Sequence, residues 1–139
     1  MDLLRVVVDE LDAARRRSLD LLAPVSDADL QRQVSPIMSP LVWDLAHVGN
    51  YEELWLLRAA LGAPPIDASL DPMYDAFRHP RKNRPSLPLL GPAAARRYIA
   101  DVRGRVLDSL ERRPLDGDAA PPLLRDGFVY GMVVQHEHQ

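Results

Sequence analysis

The sequence contains no cysteine, and this excludes disulfides, zinc–thiolate sites and a thiol nucleophile. It also has no excess of positive charge. The net charge is −3, so no basic surface is available to hold a nucleic acid or an anionic membrane. No segment approaches the ~20 apolar residues of a membrane span, and the acidic, amphipathic start is not typical of a signal peptide. These absences favour a cytoplasmic protein that binds neither nucleic acid nor membranes.

Aromatic residues make up only 6% of the chain, and the apolar residues are mostly Leu, Ala and Val, a mixture that favours helices. Four segments show helical periodicity, and 139 residues suffice for one domain with a buried core. The predicted helices run over about 3–23, over about 40–61, from Pro92 to a point before Pro114, and from Pro121 to the end. The sequence therefore predicts an all-α four-helix bundle as one domain, residues 1–139.

Capping residues give the predicted ends of the second helix. Ser39 is the expected N-cap, Pro40 occupies the first helical position, and Gly62 ends the helix. A short turn is expected at 26–30, and another connects the last two helices at 116–122.

The segment from 62 to 91 has no periodic element and is rich in proline. Structureless connections of this length are uncommon in compact domains and are usually functional or disordered. Its apolar and aromatic side chains predict instead a long ordered loop between helices two and three that packs on the bundle. These side chains are Met73, Tyr74, Phe77, Leu87, Leu89 and Leu90.

Two histidines lie on the predicted inner faces of different helices. His47 belongs to a helical stripe, and His136 follows Val133 by nearly one turn. Metal sites in bundles are built from inward side chains on facing helices, so His47 and His136 are candidate metal ligands. The alternative is that each is a buried histidine hydrogen-bonded to a neighbour. Two ligands hold a metal ion poorly, and a third would be needed.

The stripe around His47 and the inward face of the last helix define the expected surroundings of this pair. The stripe consists of Asp44, His47, Tyr51, Leu54 and Arg58. The inward residues of the last helix are expected to be Phe128, Val129, Met132, Val133 and His136.

The neighbours of His136 on the last helix are expected to face different ways. His138 lies about 200° around the helix from His136, so the two imidazoles cannot chelate one ion. Glu137 and His138 are therefore predicted to point away from the interior. Gln139 is predicted to lie beside His136.

Charged residues outside the histidine pair have two interpretations. Arg81 and Arg84 form either a solvated basic loop or a site whose guanidinium groups bind the carboxylates of a small acidic substrate. His79, before Pro80, is predicted to be a turn residue.

Carboxylates on the second helix also allow two interpretations. Asp44, Glu52 and Glu53 are either a paired-carboxylate site or, more simply, a solvated edge near Arg58. Helix one is expected to carry Arg15 off its buried face.

Three motifs, in order, carry a family resemblance: "SPLVWDLAHVGNYEELWLLR", "YDAFRHPRKNRPSLPLL" and "YGMVVQHEHQ". They resemble the N-terminal domain of the ergothioneine-biosynthesis sulfoxide synthases (hercynine oxygenases), non-haem iron enzymes whose first domain is a DinB-like four-helix bundle. The resemblance implies Fe(2+) bound by three histidines, one on the second helix and two in an H-x-x-x-H arrangement on the fourth. His47 and His136 match the first two ligands. The third would be the residue immediately after Gln139, which this chain does not contain.

The same resemblance implies the substrates and their contacts. Arg81 and Arg84 match arginines that bind the carboxylates of γ-glutamylcysteine, and Gln139 matches a glutamine near the imidazole of hercynine, the trimethylated histidine. The family's catalytic tyrosine belongs to a second domain, similar to the formylglycine-generating fold, that is absent here. The chain is thus expected to be the iron-binding part of an oxidoreductase that uses O2 to form a C–S bond and a sulfoxide. It is expected to be inactive alone. Asp44 or Glu137 is a candidate to orient an imidazole.

Two other functions remain as alternatives. One is a stand-alone DinB-like metal-dependent thiol transferase, which would share the bundle and a three-histidine site but not the "HPRKNRPSLPLL" loop. The other is a non-enzymatic helical module that binds another chain through its fourth helix and keeps its histidines for structural reasons.

Overall fold

The computed structural model describes residues 2–112 and 120–139, and the elements in these residues are all helical. Four of the helices are long and carry most of the core: α1 (Leu3–Leu22), α3 (Leu41–Glu52), α5 (Pro92–Arg112) and α6 (Phe128–His138). Two short helices, α2 (Asp27–Leu30) and α4 (Leu70–Met73), lie in the connections. The all-α prediction is confirmed.

The first and third predicted helices form where periodicity placed them. In α1 the carboxylate of Asp2 accepts a hydrogen bond from the backbone N–H of Arg5 at 3.4 Å, which caps the first turn. In α5 the first residue is Pro92, and the described part of the helix ends at Arg112. Most of the turn predicted at 116–122 lies outside the described residues.

The second predicted helix begins one residue later than expected and without its expected cap. Pro40 has an extended backbone and precedes α3, and Leu41 is the first helical residue. The hydroxyl of Ser39 instead accepts a hydrogen bond from Nη1 of Arg84 at 2.6 Å. The N-cap prediction for Ser39 is therefore wrong, because an arginine distant in sequence binds its side chain.

A π-helical turn, Glu53–Ala59, continues α3 without a break. Its wider turn brings residues five apart onto one face, and the backbone N–H of Ala60 donates to the carbonyl of Trp55 at 3.2 Å. The chain leaves this segment at Gly62, whose φ of +69° favours glycine. Gly62 thus ends the helix as predicted, whereas the π turn was not predicted.

The fourth predicted helix is broken near its start. A 3₁₀ segment, Pro122–Gly127, precedes α6, and the break falls at Asp126 and Gly127, whose φ angles are +59° and +72°. Phe128, the first residue of α6, is 72% exposed, so its predicted inward orientation is wrong. Val129 and Val133 are buried as expected.

The long connection between α3 and α5 is ordered and packs on α3, as predicted. The side chains of Trp43 and His47, one turn apart on α3, contact the consecutive backbone carbonyls of Met73 and Tyr74 at 3.1 and 2.8 Å. Tyr74 is buried, and its hydroxyl accepts a hydrogen bond from the backbone N–H of Leu90 at 2.9 Å. Phe77 is the exception, because its side chain is fully exposed and does not pack on the bundle.

One hydrophobic core joins the four long helices, with α3 packed mainly on α5 and α1 mainly on α6. Trp43, Ile99 and Val133 are among its buried side chains. In residues 2–112 and 120–139, no helix is both long enough and apolar enough to cross a membrane.

Candidate metal centre

The two predicted metal ligands meet between α3 and α6. Nε2 of His47 lies 3.2 Å from Nε2 of His136, although the residues are 89 positions apart in the chain. The imidazole rings are inclined at 64°, with their centroids 4.9 Å apart. Helical periodicity had placed each histidine on an inner face, and the fold brings these two faces together.

The tautomer of His47 follows from its other ring nitrogen. Nδ1 lies 2.8 Å from the backbone carbonyl of Tyr74. A carbonyl oxygen can only accept a hydrogen bond, so Nδ1 carries the proton and Nε2 presents its lone pair towards His136. Burial lowers the pKa of His47, and the positive charge of Arg84 lowers it further, so the imidazole is neutral at pH 7.

His136 is neutral for a similar reason but has no comparable hydrogen bond. Burial, together with the nearby His47, lowers its pKa to about 4. Its Nδ1 atom is buried and has no hydrogen-bond partner. If Nε2 of His136 donates a hydrogen bond to Nε2 of His47, then Nδ1 of His136 is unprotonated, and its buried lone pair accepts no hydrogen bond. If Nδ1 carries the proton, two Nε2 lone pairs face each other.

Aromatic rings flank both imidazoles. Trp43 stacks on His47 with centroids 4.5 Å apart, and Tyr51 stacks on His136 at 3.8 Å with the rings 5° from parallel. The guanidinium of Arg84 lies 3.7 Å from the centroid of Trp43. The stripe predicted around His47 is therefore real, and its Tyr51 packs directly on the second candidate ligand.

The residues present fit a divalent metal ion as two of its ligands. Histidine–metal bonds of about 2.0–2.1 Å at angles between octahedral and tetrahedral separate two nitrogens by about 2.9–3.4 Å, a range that includes the observed Nε2–Nε2 separation of 3.2 Å. A cation would accept both facing lone pairs, and the His47–Tyr74 contact is the type of hydrogen bond that orients metal-bound histidines. Within the described ranges, no group of three or more His, Asp or Glu side chains surrounds a common point. A metal ion bound here would therefore have two ligands from the described residues and would need another.

The residues predicted to bind substrate line a cavity of about 610 Å³ that reaches the histidine pair. Arg81, Arg84 and Gln139 all contribute to its wall. Arg81 and Gln139 are exposed, whereas Arg84 is buried. Arg84 donates to the hydroxyl of Ser39 and to the backbone carbonyls of His79 and Ala76, at 2.6, 3.0 and 3.4 Å. Substrate binding by these residues remains a prediction, and the two arginines differ in how freely they can take part.

A second cavity, of about 820 Å³, also reaches the pair. His47 and His136 line both cavities, and Tyr51, Asp71 and Phe77 line this one. The histidine pair therefore borders two spaces, each large enough for a small molecule.

Several charged residues are buried, contrary to prediction. Arg15 on α1 and Glu137 on α6 pair with each other inside the bundle, so the expected exposure of both is wrong. Glu52 is fully buried and pairs with Arg103. Each charge finds its partner on another helix, a relation that periodicity within one helix does not reveal.

Glu53 was expected to lie on a solvated edge near Arg58, and this prediction is also wrong. Glu53 is 1% exposed, and it accepts hydrogen bonds from Arg58 and from the hydroxyl of Tyr98. Asp71, from the long connection, completes the cluster by accepting from Arg58 and Asn50. The π turn places Glu53 and Arg58, five residues apart, on one face.

The remaining sequence predictions near the site have mixed outcomes. His138 is exposed, as expected. His79 lies at a bend in the long connection and contributes its backbone carbonyl to Arg84. Neither Asp44 nor Glu137 hydrogen-bonds to an imidazole: Asp44 is exposed, and Glu137 is bound to Arg15 and Arg103. The idea that either orients a ligand directly is wrong.

Comparison with known proteins identifies the family of the chain. A family model described as the DinB superfamily matches residues 10–139. Hercynine oxygenase of Mycolicibacterium thermoresistibile is 50% identical over 140 residues, covering 99% of this chain and 28% of the relative. The hercynine oxygenases of Mycolicibacterium smegmatis and Mycobacterium tuberculosis are 47% and 48% identical, covering 96% and 93% of the chain.

The chain spans under a third of the length of these relatives, 28–29% in each case, in their N-terminal part. The matches confirm the resemblance that the three motifs indicated and the DinB-like character of the fold. The chain belongs to the DinB superfamily.

Proposed function

We propose that this chain is the N-terminal, iron-binding part of a longer cytoplasmic enzyme that joins hercynine to γ-glutamylcysteine using O2. The observation that supports this most is the pairing of His47 with His136. Two neutral imidazoles from different helices present Nε2 atoms 3.2 Å apart, in a chain half identical to part of a hercynine oxygenase. With Nδ1 of His136 protonated, both Nε2 lone pairs would face a shared metal ion, whereas a structural pair would be held by an Nε2–H of His136 donating to Nε2 of His47.

In this proposal His47 and His136 bind Fe(2+), and the residue that follows Gln139 supplies the third ligand. Neutral imidazoles suit Fe(2+), and three of them leave coordination positions open. When bound, the iron supplies the oxygen chemistry that C–S bond formation and sulfoxidation require. Trp43, Tyr51 and the carbonyl of Tyr74 hold the two imidazoles in place.

The cavity beside the pair accommodates the substrates in this proposal. Arg81 is exposed at the cavity wall, where its guanidinium can bind a carboxylate of γ-glutamylcysteine through paired hydrogen bonds. Arg84 has two N–H groups beyond the three already bonded, and these can reach a second carboxylate. Gln139, also at the wall, carries an amide that can bind the imidazole of hercynine.

Product formation by the complete gene product tests this function. The complete protein should produce the sulfoxide conjugate from hercynine, γ-glutamylcysteine, Fe(2+) and O2, and the 139-residue chain alone should produce none. The nucleotide sequence should continue with a histidine codon directly after Gln139 and an open frame of several hundred residues.

The same assay separates the alternatives. Turnover of the 139 residues alone would contradict the proposal. O2-independent transfer of a thiol to another substrate would instead favour a metal-dependent thiol transferase. A complete protein with neither activity, and with no metal bound, would favour a helical interaction module.

A further inference from the structure

A closed network of four buried charges lies next to the histidine pair. It contains one residue from each long helix: Arg15 (α1), Glu52 (α3), Arg103 (α5) and Glu137 (α6). Each of the four is at most 8% exposed. Two positive and two negative charges cancel, which is the condition under which ionised groups are tolerated inside a protein.

The bonds of the network run between helices rather than along them. Arg103 donates two hydrogen bonds to Glu52, from Nε to Oε2 at 3.1 Å and from Nη2 to Oε1 at 2.9 Å. Glu137 accepts from Arg15 at 2.9 Å through Oε1 and from Arg103 at 3.3 Å through Oε2. The arginines also bind backbone carbonyls, Arg15 that of Ile99 and Arg103 that of Leu11. The network therefore ties all four helices at one level of the bundle.

Both ligand helices are anchored by this network. Glu52 follows His47 on α3 by five residues, and Glu137 directly follows His136 on α6. Arg103 binds both carboxylates, so one guanidinium links the helix that carries His47 to the helix that carries His136. The relative rotation of α3 and α6 is fixed where the ligands meet.

His136 depends on this anchor more than His47 does. The Tyr74 carbonyl holds Nδ1 of His47, whereas Nδ1 of His136 has no partner. Stacking on Tyr51 defines the plane of the His136 ring but allows the ring to slide and turn within that plane. Apart from its contact with Nε2 of His47, the direction of Nε2 depends on the backbone of the last turn of α6, which Glu137 ties to α1 and α5.

We propose that Glu137 is a positioning residue for the metal centre. Through Arg15 and Arg103 it sets the rotation of the last turn of α6, and this rotation directs Nε2 of His136 towards His47. Its carboxylate hydrogen-bonds to Arg15 and Arg103 and not to the imidazoles. The statement about ring orientation holds for the metal-free chain, and its consequence for metal affinity rests on the proposed function.

The first test uses nuclear magnetic resonance on the metal-free 139-residue chain. The ring current of Tyr51, stacked at 3.8 Å, is expected to shift the ring-proton signals of His136 upfield by an amount that depends on where each proton lies over the Tyr51 ring. In Glu137→Gln the shape of the side chain is kept but its charge is lost, and we expect the two ring-proton signals of His136 to move as the imidazole slides or turns over Tyr51. The matched control is Glu53→Gln, which removes the other buried carboxylate bound to an arginine, and there the His136 signals should stay in place.

A conservative variant keeps the test decisive if Glu137→Gln does not fold. Glu137→Asp retains the charge on a shorter side chain, so it should fold and displace the His136 signals partway. Unchanged His136 ring signals in a folded Glu137 variant would overturn the proposal. Equal displacement in Glu53→Gln would do the same, because it would show a general response to lost stability.

The second test measures Co(2+) affinity in the complete gene product. We expect Glu137→Gln to bind Co(2+) roughly 10- to 100-fold more weakly than wild type, the range found when an orienting partner of a metal ligand is removed. Glu53→Gln should bind like wild type. If His47→Ala abolishes binding but Glu137→Gln does not weaken it, the positioning role is refuted while the metal site stands. If wild type binds no Co(2+), the proposed function fails, and the resonance measurement alone decides the orientation of His136.

Discussion

Arg81 and Arg84 show how two identical side chains three residues apart can have different roles. Arg84 is buried against Trp43 and uses its guanidinium to join Ser39 to the long connection. Arg81 is exposed at the rim of the same cavity. The contacts of Arg84 therefore contribute to stability, whereas the exposed side chain of Arg81 contributes little.

This difference predicts unequal effects of the two arginines on stability. Arg84→Ala removes charge-assisted hydrogen bonds and a cation–π contact, and it should lower the free energy of unfolding by about 2–4 kcal/mol. Arg81→Ala should change it by less than about 0.5 kcal/mol, as is usual for exposed positions. Urea unfolding of both variants measures the two values. Equal midpoints for the two variants would contradict the assignment.

Individual residues also differ in how well the sequence predicted them. His47 was identified from a helical stripe of mostly polar side chains, and His136 because it follows Met132 and Val133 on the apolar face of its helix. Glu137 and Arg15 were misplaced because charged residues are normally assumed to be exposed. Their burial depends on partners in other helices, 122 residues apart in the case of Arg15 and Glu137.

At the scale of elements, the contact between α3 and α5 depends on one small residue. Gly49 lies on α3 where Ile99 of α5 approaches, and a Cβ atom on Gly49 would be 2.6 Å from Cγ2 of Ile99. Gly104, exposed on α5, has no atom within 4 Å of the position a Cβ would take. Glycine is therefore sterically required at position 49, whereas position 104 has room for a larger side chain.

Alanine at the two positions should change stability in opposite directions. Gly49→Ala should lower the free energy of unfolding by about 1–3 kcal/mol, because the added methyl group forces α3 and α5 apart. Gly104→Ala should raise it by up to about 1 kcal/mol, because alanine favours the helix and meets no obstacle. Thermal unfolding followed by circular dichroism measures both. A stabilising Gly49→Ala would refute this account of the α3–α5 contact.

The long regular helices were predictable and the irregular elements were not. Periodicity located α1 and the starts of α3 and α5 to within a residue, and the second predicted helix ends at Ala59, two residues early, only when the π turn is counted with α3. The π turn at Glu53–Ala59 leaves no distinct pattern in sequence, since it widens a helix that already looks continuous. The break at Asp126 and Gly127 was hidden because the Pro121–Pro122 pair suggested a helix start.

At the scale of the whole molecule, the four long helices and the long connection between α3 and α5 all contribute residues at or next to the histidine pair. α3 and α6 supply the histidines, α1 and α5 supply the arginines that tie those helices together, and the long connection supplies the carbonyl that orients His47. The four long helices and the inward positions of His47 and His136 were predictable from sequence. The network that joins them was not, because it exists only once the helices have packed.

The central claim is that His47 and His136 bind the same metal ion, and the four histidines of the chain provide the most direct test. Co(2+) is titrated into the complete gene product and into four variants, each with one histidine replaced by alanine, and its visible absorption reports ligand binding. His47→Ala and His136→Ala should each abolish the spectrum, whereas His79→Ala and His138→Ala should leave affinity and spectrum unchanged. A wild-type spectrum in either His47→Ala or His136→Ala would contradict the account.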